Sequence, residues 1–500
     1  MTYADSAPRS TSLFDAACPL LTRLRPVFEG QPNAVAVRGP NGSMSYRQLA
    51  AAAADWRHQL DVLDLPPRSP VAILSAGSAD LVSAYLGVRA AGLVPLLIDT
   101  LSPLARRVEI LRAARPAAAL DLTTGELTAT AAEPRTLPAD AGYLTFSSGS
   151  QGVPKGIVGN AHGILNFLEW QRKLVGLDAS CRVALLSAPS FDVVLRDMFL
   201  PLICGGELCV PAIQVRSDPR AVVPWLADSQ VEVVHAVPSL STRWLAHADP
   251  VRLPRLRWLF LAGEPLYDRH VERWAAVAPS TRVVNLYGPS EMTLAQFWHL
   301  IELPPPAGLQ PVGRPLPGIR LVDPEAAGSF QIAIESRHGS LGYLTGATVP
   351  ADQFDLLTRQ DGSTRFRTQD RGRLDAEGRL YVEGRLDNVV KRNGVMVDLG
   401  KLTALALGHP QVRQAYCLQV DPDSSGDVVL VVEGTGDLSE REFSKDLRRS
   451  LGTAMPNEVL LLDAFPMLPN GKIDRQRVRS EVEQRRAARR SAVVAADRTV

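Results

Sequence analysis

The sequence predicts an α/β protein of more than one domain, and three observations lead there. Short apolar runs of strand length alternate with helical patterns between residues 49 and 286. After the prolines at 304–306 and 311–317 the pattern changes to short runs separated by Gly and Asp. The 500-residue length exceeds what a single hydrophobic core organises.

The elements follow in order. Residues 49–60 are Ala-rich and helical, and 71–74 form a short apolar strand. Residues 79–91 read as a helix ending at Gly92, and 94–98 as a strand. Such alternation argues for parallel sheets covered by helices. It continues with apolar runs at 183–186, 208–210, 231–236, 258–262 and 283–286. Residues 319–381 read as a small β-rich subdomain. Residues 384–387 look like a junction, followed by α+β character with strands near 414–420 and 428–433. The end, 482–500, is rich in Arg and Ala. Its Arg485, Arg486, Arg489 and Arg490 read as a frayed helix and disordered tail, with contact to an acidic partner as the alternative.

Composition narrows the class. A net charge of +1 gives no general attraction for nucleic acid or anionic membrane. No apolar run reaches transmembrane length, and residues 1–9 lack a signal-peptide core, so a cytoplasmic protein is expected. Cys18, Cys181, Cys204, Cys209 and Cys417 have no metal-knuckle spacing and read as buried thiols.

The most informative stretch is YLTFSSGSQGVPKG at 143–156. Glycines let backbone amides close around an anion, and serines and a lysine add donors and charge. It is not the usual P-loop, because Pro154 precedes Lys155 and no Lys-Ser or Lys-Thr pair follows the glycines. Further motifs follow in order: NLYGPSE at 285–291, FRTQD at 366–370, GRLD at 384–387, VKRNG at 390–394 and LPNGKIDR at 468–475. Each alone is a plain turn or strand end. Together, with MSYRQL at 44–49 and VRAAGLVPLLID at 88–99, they resemble the adenylate-forming superfamily over residues 14–478. Within it the chain looks most like a stand-alone adenylation domain of nonribosomal peptide synthetase type.

That resemblance implies an architecture. A large N-terminal domain, 1–386, holds two α/β-layered subdomains plus the small β-rich one. A small mobile α+β C-terminal domain, 387–482, carries a catalytic lysine, and 483–500 is an Arg/Ala-rich tail. It also implies site residues. Ser147, Ser148, Gly149, Ser150, Gly152 and Lys155 would grip phosphates of ATP. Tyr287 would stack on adenine, Asn285 would meet the base edge, and Gly288 and Ser290 would complete that segment at the phosphates. Glu291 would hold Mg2+, as a carboxylate beside a hard cation can. Asp370 and Arg385 would reach the ribose, Asp387 would be the hinge and Gly394 would face a thioester-forming tunnel. Lys472 would bridge the substrate carboxylate and the α-phosphate. Two departures stand out: Gln369 replaces a glycine, which puts local backbone shape in doubt, and the usual Gly-Glu-Leu opening near 332–344 is missing.

PSFD at 189–192 points to the substrate. Asp192 would pair with an amino group; as an alternative, it caps the following helix. By the same resemblance, Val193, Arg196, His235, Phe260, Ala262, Leu286, Leu294 and Ala295 line the side-chain pocket. Arg196 and His235 stand out as donors toward a polar or acidic group, with proline-like rings and β-amino acids also open. Equally, Arg196 is a helix arginine paired with a carboxylate, and His235 a satisfied core histidine. The sequence holds no carrier-type GGxS serine after Arg475 and no condensation-type His-His motif, so a separate phosphopantetheinylated carrier protein is the expected partner. An acyl-CoA or amide-forming ligase shares the first step. A degenerate binding protein is the non-enzymatic alternative.

Overall fold

The computed structural model describes residues 13–15, 18–130, 133–148, 154–246, 253–325, 328–344, 356–358, 362–392, 395–420, 427–435, 438–451, 455–468 and 472–497. The architecture is the expected α/β one. Among these residues a seven-stranded sheet runs in the order Gly342–Tyr343, Pro154–Asn160, Ala141–Ser148, Val94–Asp99, Pro70–Ser75, Ala118–Asp121, Glu126–Ala129. A nine-stranded sheet runs Arg314–Pro315, Phe297–Leu300, Arg282–Tyr287, Trp258–Ala262, Val233–Ala236, Arg182–Ala184, Glu207–Cys209, Val35–Gly39, Gly42–Ser45. Both have parallel centres and antiparallel margins.

One apolar core joins the two sheets through their helices. It includes Leu24, Leu49, Tyr85, Phe167 and Phe199. The helix Asp80–Ala90 is buried along nearly its whole surface, which fits a helix sandwiched between layers. Local signals set the helix ends. Ser45 and Gln48 form a reciprocal capping box at the start of Tyr46–Val62. Asn160 caps Ala161–Val175, which stops at Gly176 in the left-handed region.

The β-rich part is a five-stranded antiparallel sheet of Ile319–Leu321, Phe330–Ser336, Thr364–Leu374, Leu356–Thr358 and Leu380–Arg385. Around Gln369 the pairing with Phe330–Ser336 is irregular: Gln331 faces Arg371 and Ala333 faces Arg367. On the other edge the strand is more regular. Asp370 keeps regular register with Arg385, and the bulge falls between Arg371 and Gly372. Beyond Leu386–Asn388 lie a hairpin, Val389–Arg392 with Val395–Asp398, and a three-stranded sheet of Val412–Gln419, Val428–Gly434 and Glu458–Leu462. Its own apolar core includes Leu402, Leu430 and Phe443.

The C-terminal end differs from expectation. Residues 475–497 form one helix, Arg475–Asp497, rather than a frayed tail. Arg485 donates to the Leu461 carbonyl and to Glu481. Arg486 pairs with Asp427 and Glu458. The carboxylate partners of Arg486 are distant in sequence, which composition does not reveal, while that of Arg485 lies one turn away on the same helix. All five cysteines are free thiols, and Cys204 alone among them is only half-buried.

Candidate active site

The site lies where the parallel strands of the nine-stranded sheet end. In open α/β sheets, ligands collect at the carboxyl ends of the strands. Register does the positioning. His235 pairs with Phe260, and Ala262 with Leu286 two residues further on. Side chains two apart share a face, so these four pocket candidates lie on one side of adjacent strands. Gly288 then brings the next loop close: a Cβ there would lie 2.4 Å from the Leu294 carbonyl. That close approach seats buried Leu294 and Ala295 against the strand ends. Thr293 and Leu294 both adopt positive φ, +62° and +63°. Such strain in non-glycine residues gathers at functional sites. Gln296 braces the loop, its amide donating to the carbonyls of Met292, Thr293 and Ala295.

On one side of this edge is a set of polar groups that satisfy each other. The Tyr287 hydroxyl donates to Asp370 Oδ2 at 2.6 Å. Burial pushes the Asp370 carboxyl up, while Tyr287 and Arg385 pull it down. Arg385 Nη1 stands 3.8 Å from Asp370, and its other edge forms a bidentate pair with Asp387 at 2.9 Å. Tyr343 donates to Glu291 at 3.0 Å. Burial raises Glu291, with Tyr343 and Lys155 opposing. Lys155 is itself buried and shifted down by desolvation, with Glu291 acting against that. Asn285 donates to the Pro311 carbonyl at 2.9 Å, and its Oδ1 is buried without a hydrogen bond. Ser147 ends its strand half-buried, and Ser290 opens the short turn Ser290–Met292. Gly149, Ser150, Gly152 and Gly394 lie outside the described residues, as does the side chain of Ser148.

On the other side the polar groups are deeper. Ser190 fastens their loop to the seven-stranded sheet: its hydroxyl accepts from Asp99 N at 2.7 Å and its carbonyl from Thr145 at 3.2 Å. Asp192 follows, 6% exposed, with Oδ2 buried and unpartnered. Burial drives its carboxyl up, and the amides of Leu294 and Val193, Arg196 and Lys472 oppose. It is not a helix cap. The helix Val194–Cys204 starts at Val193 with no side-chain cap, so the cap alternative falls.

Arg196 is buried, and its Nε lies 3.5 Å from Asp197 Oδ1. Asp197 Oδ1 also lies 3.0 Å from His235 Nδ1, and Oδ2 accepts from Ser187 N at 3.1 Å. His235 Nε2 is 2.6 Å from Gln171 Nε2, and its ring stacks on Phe260. The Gln171 amide nitrogen can only donate, so Nε2 accepts and the proton sits on Nδ1, which faces Asp197 Oδ1 without hydrogen-bond geometry. Burial and the nearby Arg196 push His235 down to about 4, so the ring is neutral at neutral pH. Burial would raise Asp197, but His235, Arg196 and Ser187 hold it below the usual aspartate value.

Lys472 approaches from the C-terminal part. Its carbonyl accepts from Leu468 N at 2.8 Å. A Cβ on Gly263 would stand 3.2 Å from its Cε and 3.3 Å from its Nζ. Burial lowers the ammonium pKa, while Glu264, Asp192 and Asp370 act in the opposite direction. Lys472 thus stands within the electrostatic reach of both sides.

Sequence reading missed Gln171, Asp197, Glu264, Gln296 and Tyr343. Glu264, straight after the strand Trp258–Ala262 and Gly263, sits where a strand-end carboxylate could have been flagged. Gln171 lies in a helix with no local mark.

Residues 24–136 and 124–344 match the family described as AMP-binding enzyme. The chain belongs to that family. It is 26% identical over 504 residues to a dimodular nonribosomal peptide synthase of Bacillus subtilis, covering 91% of this chain and 21% of that protein. It is 30% identical over 490 residues to phosphinothricin tripeptide synthetase PhsC of Streptomyces viridochromogenes, covering 89% of this chain and 43% of the relative. The chain therefore spans less than half of either relative. In structure it resembles a holo four-domain nonribosomal peptide synthetase bound to AMP and glycine, with TM-score 0.80, 22% identity, and coverage of 93% of this chain and 36% of that one. No helix among the described residues is long and apolar enough to cross a membrane.

Proposed function

We propose that the chain activates an amino acid as its aminoacyl adenylate and passes it to the phosphopantetheine thiol of a carrier protein. The observation that carries the amino-acid half is Asp192. A buried carboxylate with an orphaned oxygen costs several kcal/mol unless a cation meets it. A substrate ammonium is that cation. The relatives' names support the same class.

In this reading a substrate carboxylate oxygen bonds to the α-phosphorus of ATP as the bond to the pyrophosphate oxygen breaks. Lys472 would counter the charge that builds there, and the burial that lowers its pKa would make such a contact strong. Tyr287 presents its ring to adenine, and Asp370 exchanges its Tyr287 partner for ribose hydroxyls. Arg385 steadies Asp370. Lys155 meets phosphate. Glu291 would be the carboxylate that holds Mg2+. When bound, that ion neutralises the leaving pyrophosphate. Residues 1–386 would be the adenylation core and 387–482 a mobile unit pivoting at Asp387.

The test is pyrophosphate exchange with a panel of amino acids and their desamino analogues, then transfer to holo carrier protein or to CoA. Exchange with amino acids alone, followed by carrier loading, is expected. Exchange with desamino acids as well would overturn the role of Asp192. Transfer to CoA in place of the carrier would overturn the second half.

A further inference from the structure

The buried chain Gln171–His235–Asp197–Arg196 serves no step above, and its charge count says what the pocket accepts. We propose that the far end of the pocket takes an amino acid whose side chain ends in a neutral hydrogen-bond acceptor, and that Asp197 sets this preference by neutralising Arg196. The inference rests on the amino-acid reading and deepens it.

Arg196 already has its counter-ion. Asp197 is fully buried and adjacent, with Oδ1 3.5 Å from the Arg196 Nε. Nor can Asp197 easily swing aside for an incoming carboxylate. Its Oδ2 is held by Ser187 N at 3.1 Å, and its Oδ1 lies 3.0 Å from His235. His235 is itself pinned between Gln171 and the Phe260 ring.

His235 supplies no second cation, because the Gln171 amide at 2.6 Å uses Nε2 as an acceptor and the ring stays neutral. The sum at this end is therefore zero: one guanidinium, one carboxylate, one neutral imidazole. Lys472 answers to the reacting end, and the substrate ammonium answers to Asp192. A side-chain carboxylate would add an unbalanced buried charge, which costs several kcal/mol.

An apolar side chain fails for a different reason. Arg196 carries five N–H donors, and its contact with the single oxygen Asp197 Oδ1, 3.5 Å from Nε, leaves most of them to be met. A site built to donate rejects an analogue that cannot accept. An amide, carbonyl or hydroxyl oxygen meets the donor and adds no charge. Asp197 is a positioning residue in this scheme, acting on the substrate through Arg196.

The experiment is pyrophosphate exchange on the whole chain with isosteric pairs: asparagine against aspartate, glutamine against glutamate, with leucine as the apolar control. Each is run beside its desamino counterpart. The wild type should favour the amide over the acid by about tenfold or more in kcat/KM, and over leucine likewise. In Asp197→Asn the amide-to-acid ratio should fall by about tenfold, mostly through KM, because Arg196 is then free to pair with a substrate carboxylate. A loss of stability alone would lower both rates and leave the ratio unmoved.

Four results overturn the inference: acid preferred or equal in the wild type, leucine as good as the amides, none of the five amino acids exchanging, or an unmoved ratio in Asp197→Asn. If the variant does not fold, the wild-type ratios decide alone. If only desamino acids exchange, the amino-acid reading falls. The amide-to-acid ratio in that series then still tests the Arg196–Asp197 balance.

Discussion

On the nucleotide side of the candidate site the polar groups hold one another. Tyr287 bonds Asp370 at 2.6 Å, Tyr343 bonds Glu291 at 3.0 Å, and Arg385 grips Asp387 at 2.9 Å. On the amino-acid side, burial is deeper and satisfaction poorer. Asp192 Oδ2, Arg196 Nε and Gln171 Oε1 are all buried without hydrogen bonds. The first arrangement keeps its geometry unaided, and in the proposed reading a nucleotide would displace those contacts. The second is deeply buried, so a wrong ligand would leave charges and donors unmet. Affinity for a common cosubstrate and selectivity for one acid call for these opposite designs.

The contrast breaks most sharply at Asp192. Asp192→Ala should cost about 3–5 kcal/mol in kcat/KM for the native amino acid, the penalty for removing one member of a buried pair. Affinity for ATP should hold. Wild-type exchange kinetics in this variant would mean that the deep side makes no charge contact, and the comparison would dissolve.

Lys472→Ala comes next and should act on both sides at once. Losing one donor to developing charge costs roughly 10²–10³-fold in rate. Lys472 is only half-buried, so the melting temperature should barely move. Near-normal pyrophosphate exchange would remove Lys472 from the chemistry.

Gly263→Ala probes the same lysine from the opposite wall. The added methyl would lie 3.2 Å from Lys472 Cε, at a φ of +89° that side chains avoid. The strain is about 1–2 kcal/mol. Adenylation about tenfold slower, with ATP binding intact, is the expected result. Unchanged adenylation would show that Lys472 needs no close approach to Gly263 during the reaction.

The two sides were also unequally legible in the sequence. Helix caps, strand ends and the β-rich sheet follow from local chemistry, as Ser45 with Gln48 and Asn160 show. The candidate residues of the first side were nameable because each lies in or beside a short motif at a strand or strand end. The deep side was half readable. Arg196 and His235 stood out as polar residues among apolar ones. Asp197 did not, because neighbours one apart on a helix usually diverge. Burial overrides that expectation, since a guanidinium excluded from water takes the nearest carboxylate. Gln171 was invisible because it lies 64 residues from His235. Arg486 was misread for the same reason: Asp427 and Glu458 lie far from it in sequence.

The smallest effect separates the chemistry of the site from the docking that delivers Lys472. Arg371, on the strand Thr364–Leu374, donates to Asp398 Oδ2 across the proposed junction at 387. Asp398 is also the N-cap of the helix Leu399–Leu407, with its other oxygen accepting from Lys401 N at 3.1 Å. The pair therefore ties the β-rich sheet to the first helix of the C-terminal part. It is partly exposed, so its worth is at most about 1 kcal/mol. Arg371→Ala should slow adenylation by no more than about fivefold, by lowering the docked fraction rather than by touching either pocket. Amino-acid preference and ATP affinity should stay as in the wild type. Cleavage by protease near 386–388 should become faster, and the difference from wild type should shrink as salt rises. A changed substrate preference in this variant would mean that docking and selection are coupled. The two sides of the site would then be parts of one closing unit, not independent designs.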